Sequence, residues 1–182
     1  MEAMTLVLDD REWTIEERDA LPDDGCRHEL IDGVLVVTPG SNADHQRTSR
    51  ALFLALHAHC PDDLELFFAP FDVLLDARTA MQPDLLIARR EDVAHKGVIA
   101  APVLAVEVLS PSTQVVDRHL KLQRFERAAM PSSWLVDPTG PTLFAYELRE
   151  GRYALVAEVT GDEEWTASLP FPVTIRPSTL LR

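Results

Sequence analysis

The segment PVLAVEVL, Pro102 to Leu109, is an almost unbroken apolar run behind a proline, with a single acid, Glu107, inside it. A half-exposed strand alternates apolar with polar, so a short continuous run of this kind reads as a strand covered on both faces. PDLLIA, Pro83 to Ala88, repeats the pattern, again with an acid, Asp84, directly behind the proline. SWLV, Ser133 to Val136, reads as a third buried strand. Between the second acid and that third strand, Gln114 to Ala129 reads as a helix with Val115, Leu122 and Phe125 facing inward.

Working outward, LELFFAPFDVLLD, Leu64 to Asp76, is expected to be a strand broken or bulged at Pro70. Ser41 and Asn42 can cap a helix that runs through HQRTSRALFLALHAH and ends before Pro61. RHELIDGVLVVT, Arg27 to Thr38, holds two apolar runs joined by Asp32-Gly33, a hairpin signal. Thr14 and Glu17 form a capping-box pattern that opens a short helix stopping near Pro22. Thr142 to Leu148 and Arg152 to Glu158 predict a second hairpin about Glu150-Gly151, with short strands closing the chain. The central order is helix, strand, strand, strand, helix, strand. That order predicts an α/β fold, a mixed sheet with helices packed on it, in a single domain over residues 1–182.

Composition narrows the function classes. In 182 residues, 46% apolar and 26% charged content exclude a disordered chain. Lys and Arg total 17 against 30 Asp and Glu, and the net charge of −13 excludes a basic nucleic-acid coat. Any contact with DNA or RNA must be local, through a patch or a bound cation. Cys26 and Cys60 are the only cysteines, which excludes a disulfide scaffold, a zinc ribbon and an iron–sulfur cluster. No glycine pattern suits a nucleotide loop. No apolar run reaches about 18 residues and the start lacks basic residues, so a soluble, cytoplasmic setting is expected.

Glu107 carries the chemistry. Burying an ionised carboxylate without a partner costs several kcal/mol or more, so an arginine, a proton or a metal must compensate it. Asp84, on another core strand, adds a second acid able to converge on the same cation; oxygen ligands suit magnesium or manganese. The chain has two lysines, Lys96 and Lys121, against fifteen arginines. Lys121 lies four residues after Asp117 on one helix face, a spacing that an exposed ion pair also explains. Its place just after EVLSPST argues instead that the helix returns over the Glu107 end of the strand. Glu29 reads equally as a hairpin surface residue and as a ligand, and His45 as an exposed helix start or a neighbour of the site. His57 and His59, two apart, splay about 200° on a helix and do not share a metal. The three tryptophans, Trp13, Trp134 and Trp165, read as core or interface residues.

QPDLLIA, VLAVEVLSPST, DRHLK and PSSWLVDP, preceded by HELIDGVLVVTPGSNADHQ and APFDVLL and followed by a GRYALV hairpin, span nearly the whole chain. In these motifs the sequence resembles the Uma-type endonuclease-like family, a branch of the PD-(D/E)XK nuclease superfamily. The resemblance implies a restriction-endonuclease-like core with a metal site at the strand ends. It also implies nuclease chemistry, with nucleic acid, DNA first, as substrate and Mg2+ or Mn2+ as cofactor. Carried over by position, Asp84 is the aspartate of PD and Glu107 the acid of (D/E)XK. They would hold the ion together with the main-chain carbonyl of Val108. Leu109 stands where the superfamily has lysine, and Lys121 matches the family's displaced lysine. Asp84, Glu107 and Lys121 are thus the implied catalytic set, and Glu29, His45, Gln82 and Asp117 match accessory polar positions. Phe125 stands where the family often has tyrosine, and Ser132-Ser133 where it often has Glu-Tyr.

Three activities compete at this point. One is a metal-dependent nuclease. Another is a binding or accessory module of a mobile-element or defence system that keeps the fold without turnover, motivated by the net charge. A third is a hydrolase of a small phosphorylated molecule. Arg47 and Arg50 on one core helix, with Arg118, Arg124 and Arg127 on the other, are the candidate nucleic-acid contacts; scattering of these away from Asp84 would count against that partner. An apolar hairpin, LFAYEL, could pack against a second copy in a homodimer.

Overall fold

The structure, a computed structural model, describes residues 5–7, 11–110 and 116–181. Gln114 and Val115 of the expected second helix lie outside them. Strand β1 (Thr5–Val7) precedes helix α1 (Ile15–Asp19) and the hairpin of β2 (Arg27–Ile31) and β3 (Val34–Thr38). Helix α2 (Ala43–His57) leads to β4 (Leu64–Phe68), β5 (Asp72–Asp76), β6 (Thr79–Met81) and β7 (Leu85–Arg89). The two-residue strands β8 (Val93–Ala94) and β9 (Gly97–Val98) precede β10 (Leu104–Val108). A π-helical turn (Val116–Lys121) runs into α3 (Leu122–Arg127). Then come β11 (Ser132–Asp137), β12 (Thr142–Arg149), β13 (Arg152–Thr160), β14 (Trp165–Ala167) and β15 (Val173–Ile175). No helix among the described residues is long and apolar enough to cross a membrane.

Local chemistry sets these boundaries. The Thr14 hydroxyl accepts from the Glu17 amide while the Glu17 carboxylate accepts from the Thr14 amide, the reciprocal cap expected. Asn42 caps α2 by accepting from the His45 amide. Asp32 and Gly33 have φ of 50° and 84°, the paired positive angles that a two-residue hairpin turn demands. At Gly33 a side chain would also be crowded, since its Cβ would lie 3.0 Å from that of Glu12.

One sheet has six strands in the order β13-β12-β11-β10-β7-β4, with β10 and β11 parallel and the other pairs antiparallel. With α2 and α3 it supplies the expected helix–strand–strand–strand–helix–strand core. A second sheet takes the order β1-β3-β2-β6-β5-β9-β8. The two main sheets replace the single one expected. Leu64 to Asp76 is the reason: it is not one bulged strand but β4 in the first sheet and β5 in the second. Pro70 cannot donate to a ladder, and the last bond before it runs from the Ala69 amide to the Asp84 carbonyl at 3.1 Å.

The central strands β7, β10 and β11 are buried along almost their whole length, as their unbroken apolar runs require. On one face Leu85, Ile87, Leu104, Val106 and Trp134 pack with Leu52 and Leu56 of α2. On the other, Ala105 meets Ile31, Val36 and Met81 from the second sheet, Phe125 from α3 and Met130 just after it. Leu104 is fully enclosed in the first cluster, whereas Leu155 on β13 is 49% exposed. Leu104→Ala is therefore expected to cost about 2–5 kcal/mol in urea unfolding, and Leu155→Ala less than about 0.5 kcal/mol.

Candidate active site

Val106 of β10 stands opposite Leu85 of β7 in their antiparallel ladder. The ladder ends there, and one residue further on each side lie Glu107 and Asp84, near enough for the Asp84 charge to add to the rise of Glu107. A hydrogen bond fixes the meeting: the Val108 amide donates to Asp84 Oδ2 at 2.8 Å. A strand residue points its N–H and C=O to the same side, so the Val108 carbonyl lies on the Asp84 side as well.

Lys121 closes the group from the π-helical turn, a helical irregularity that recurs at functional sites. Its Nζ lies 2.9 Å from Glu29 Oε1, 3.1 Å from Glu107 Oε1 and 3.6 Å from Asp117 Oδ1. Only 1% of the side chain is exposed, which rejects the surface ion-pair reading. Glu29, likewise buried, also accepts from the Gln82 amide at 2.7 Å, while the Gln82 side chain donates to Asp72 at 2.9 Å. His45 sits against the other side of Asp84, its Nε2 donating to Oδ2 at 2.9 Å.

Arg27 is the site residue that sequence reading missed. Its guanidinium donates to Asp84 Oδ1 at 2.9 Å and to the Gln82 carbonyl at 3.2 Å, and stands 3.5 Å from Glu29 Oε2. The signal was present: in β2, Arg27 and Glu29 are two apart and so share a face, and one cannot turn inward without the other.

The charges do not balance. With all four ionised, Glu29, Asp84, Glu107 and Asp117 exceed Arg27 and Lys121 by two negative charges, and all four acids are buried. Burial pushes the Asp84 carboxyl up, but the His45 hydrogen bond and the charge of Arg27 outweigh it and hold the group well below the usual range. Glu29 is lowered too: burial opposes ionisation, and Lys121, Arg27 and the Gln82 amide overcome it. Glu107 goes the other way. Burial raises it, Lys121 opposes, and the charges of Asp117, Asp84 and Glu29 add to the rise. Lys121 is raised, because its three acids outweigh its burial, and it stays an ammonium.

These residues fit a divalent cation. Glu107 Oε2 is buried without a hydrogen-bond partner. Asp84 accepts three donors on roughly four acceptor positions, which leaves one. The donors are all oxygen, and the excess of two charges is that of one Mg2+ or Mn2+. Among the described residues no three His, Cys, Asp or Glu side chains form a ready-made ligand set. Two carboxylates and a main-chain carbonyl, completed by water, are the manner in which magnesium binds.

Asp84 lines a cleft of about 730 Å³ together with Arg27 and His45. Helix α2 lines it with Arg50, Phe53 and Leu54, and Phe68 at the end of β4 lines it as well. The other helix arginines are not brought there. Arg47 pairs with Asp44 at 2.8 Å, and Arg118 lies 4.7 Å over the Phe144 ring. Arg124 is buried between Asp32 and Asp76, at 2.9 and 2.7 Å, and Arg127 also pairs with Asp32. Asp32 and Asp76 take Arg124 and Arg127 from distant turns, Asp44 takes Arg47 from its own helix and Arg118 lies over an aromatic ring, so the expected two-helix arginine surface is not formed. His57 stacks on Phe53 and His59 Nδ1 bonds the Ala55 carbonyl, so neither joins the site.

No curated protein sequence matches the chain. The fold is similar to a crystal structure from Anabaena variabilis ATCC 29413 described as "a putative nuclease belonging to DUF820", with a TM-score of 0.71 and 17% identity. That match covers 93% of this chain and 97% of the other, and at this identity it shows a shared restriction-endonuclease-like fold. The family model "Uma2: Putative restriction endonuclease" matches residues 15–179. With almost its whole length inside that match, the chain belongs to the Uma2 family.

Proposed function

We propose that this chain is a divalent-metal-dependent nuclease that hydrolyses phosphodiester bonds, with DNA as substrate. One observation carries the reading: Asp84 and Glu107 meet at the strand ends, one Glu107 oxygen without a partner, beside a buried Lys121. Asp84, Glu107 and the Val108 carbonyl would hold the ion. Bound there, Mg2+ or Mn2+ supplies Lewis acidity, which makes the attacking water more acidic and offsets phosphate charge. Lys121, kept an ammonium by Glu29, Glu107 and Asp117, has no lone pair and does not take the proton from water. Its part is to orient the nucleophile and stabilise charge that develops on the phosphoryl oxygens. His45 keeps the Asp84 carboxylate turned and ionised. Arg27, which lines the cleft, is placed to meet the incoming phosphate.

A second reading, a nuclease-fold binding module without turnover, is favoured by Arg27, whose guanidinium already serves Asp84 as a counter-ion. Assembly as a homodimer belongs to the proposal as well. The β13 edge is nine residues long with Leu155 exposed, and edge pairing between two copies would cover it.

Plasmid and single-stranded DNA incubated with the protein in magnesium or manganese are expected to be cut, and Glu107→Ala to lower the rate by on the order of a hundredfold or more. Cleavage at full rate in that variant defeats the site assignment; absence of cleavage in the wild type favours the binding module. Magnesium at a hundred times its Kd is expected to add about 2.7 kcal/mol of stability, seen as a higher melting temperature that Glu107→Gln abolishes. In metal-free buffer the folded Glu107 keeps its proton above the ordinary value of 4.5. Unfolding then releases a proton, so this residue's contribution to stability falls as pH rises past 4.5 through the folded value. Glu107→Gln is expected to remove that fall, and urea titrations across pH measure it.

A further inference from the structure

Phe68 is 62% exposed, and Leu54 beside the same cleft 60%. Single exposed apolar residues are ordinary, but Phe68 is built into the site. In the β4–β7 ladder it stands opposite Leu85, the residue after Asp84, and the next amide, of Ala69, donates to the Asp84 carbonyl. Its ring meets Phe53 edge-on, with centroids 5.4 Å apart at 82°, and Phe53 is backed in turn by His57 at 5.6 Å and 14°. An aromatic platform with a supported back therefore sits one residue from the acid that faces the cleft.

We infer that this cleft takes an unpaired nucleotide, its base stacked on Phe68 and its phosphate over Asp84, so that the substrate is a single-stranded stretch rather than a closed duplex. The inference rests on the nuclease reading above and specifies its substrate. Asp84 lines the cleft and is only 4% exposed, so the phosphodiester must enter the cleft to reach it. A base inside a duplex cannot follow its phosphate there without leaving the stack. The cleft volume of about 730 Å³ is that of a small-molecule pocket. Charge points the same way. The chain carries −13, yet three arginines and three aspartates line the cleft, so a phosphate enters neutral ground. Arg47, Arg118, Arg124 and Arg127 are engaged elsewhere and do not form the backbone-tracking stripe that a duplex needs. Stacking is then the main source of affinity, and it is tolerant of sequence because every base has a π-face.

The test is fluorescence anisotropy of a short labelled oligothymidylate with the full wild-type chain, in metal-free buffer so that the strand is not cut. The same strand paired to oligodeoxyadenylate and an abasic strand of equal length are the comparisons. The single strand is expected to bind at least about tenfold tighter than the duplex, with Phe68→Ala weakening it about tenfold. Phe68→Trp should retain the affinity, and the abasic strand should not respond to either change. Phe68 is exposed, so both variants are expected to keep the parental melting temperature. Equal binding of duplex and single strand, or no loss in Phe68→Ala, overturns the inference. Competition by free thymidine monophosphate as strong as that by the oligonucleotide also overturns it, in favour of a nucleotide-sized ligand. The magnesium-induced rise in the wild-type melting temperature separates the two proposals. If it persists without single-strand preference, the stacking inference fails alone; if it is absent, the metal reading fails.

Discussion

A single buried ammonium shared among three carboxylates is the constraint on which the site depends. Lys121 sits within ion-pair distance of Glu29, Glu107 and Asp117, all enclosed by the fold. One positive charge cannot neutralise three buried acids, and removing one partner from such a group strands the others. Arg27 relieves the Asp84 and Glu29 side without reaching balance. Every segment that contributes an acid or a base must therefore be held in register: β2 for Arg27 and Glu29, β10 for Glu107, the π-helical turn for Asp117 and Lys121.

The need for register explains why the surrounding core is so apolar. Glu107 is the only charged residue in a strand buried from end to end, and its neighbours Val106 and Val108 pack against the α2 side while Ala105 packs against α3. These contacts keep an acid where solvent would otherwise be preferred. A restriction-endonuclease-like fold gives such a site two strand ends and one helix start, and here a second sheet supplies the rest through the Arg27–Ile31 strand.

The central strands were legible because burial on both faces leaves an unbroken apolar run, and these runs, introduced by proline, are too short for a buried helix. The caps at Thr14 and Asn42 and the turn at Asp32-Gly33 were legible because each depends on residues a few positions apart. The division of Leu64–Asp76 between two sheets was not, since apolar patterning shows that a segment is a strand and not which ladder it joins. The three-residue strand Thr79–Met81 carried too little pattern to be seen. At the site, Asp84, Glu107 and Lys121 were nominated from their positions in the motifs, and the structure brings them together. Arg27 was not, and Arg124 was nominated for the surface although Asp32 and Asp76, about 92 and 48 residues away along the chain, enclose it. A helix face read alone does not show which distant acids will meet it.

The passage of the chain between sheets at Ala69–Pro70 has a mechanical consequence. Phe68 belongs to the last rung of one sheet and Asp72 to the first rung of the other, while Arg27 reaches Asp84 from the second sheet into the first. The mouth of the cleft is thus a seam rather than a hollow in one rigid layer. Its width is governed by how the two layers sit against each other, so packing residues such as Met81 and Leu86, which are not among the proposed ligands, share control over what can enter.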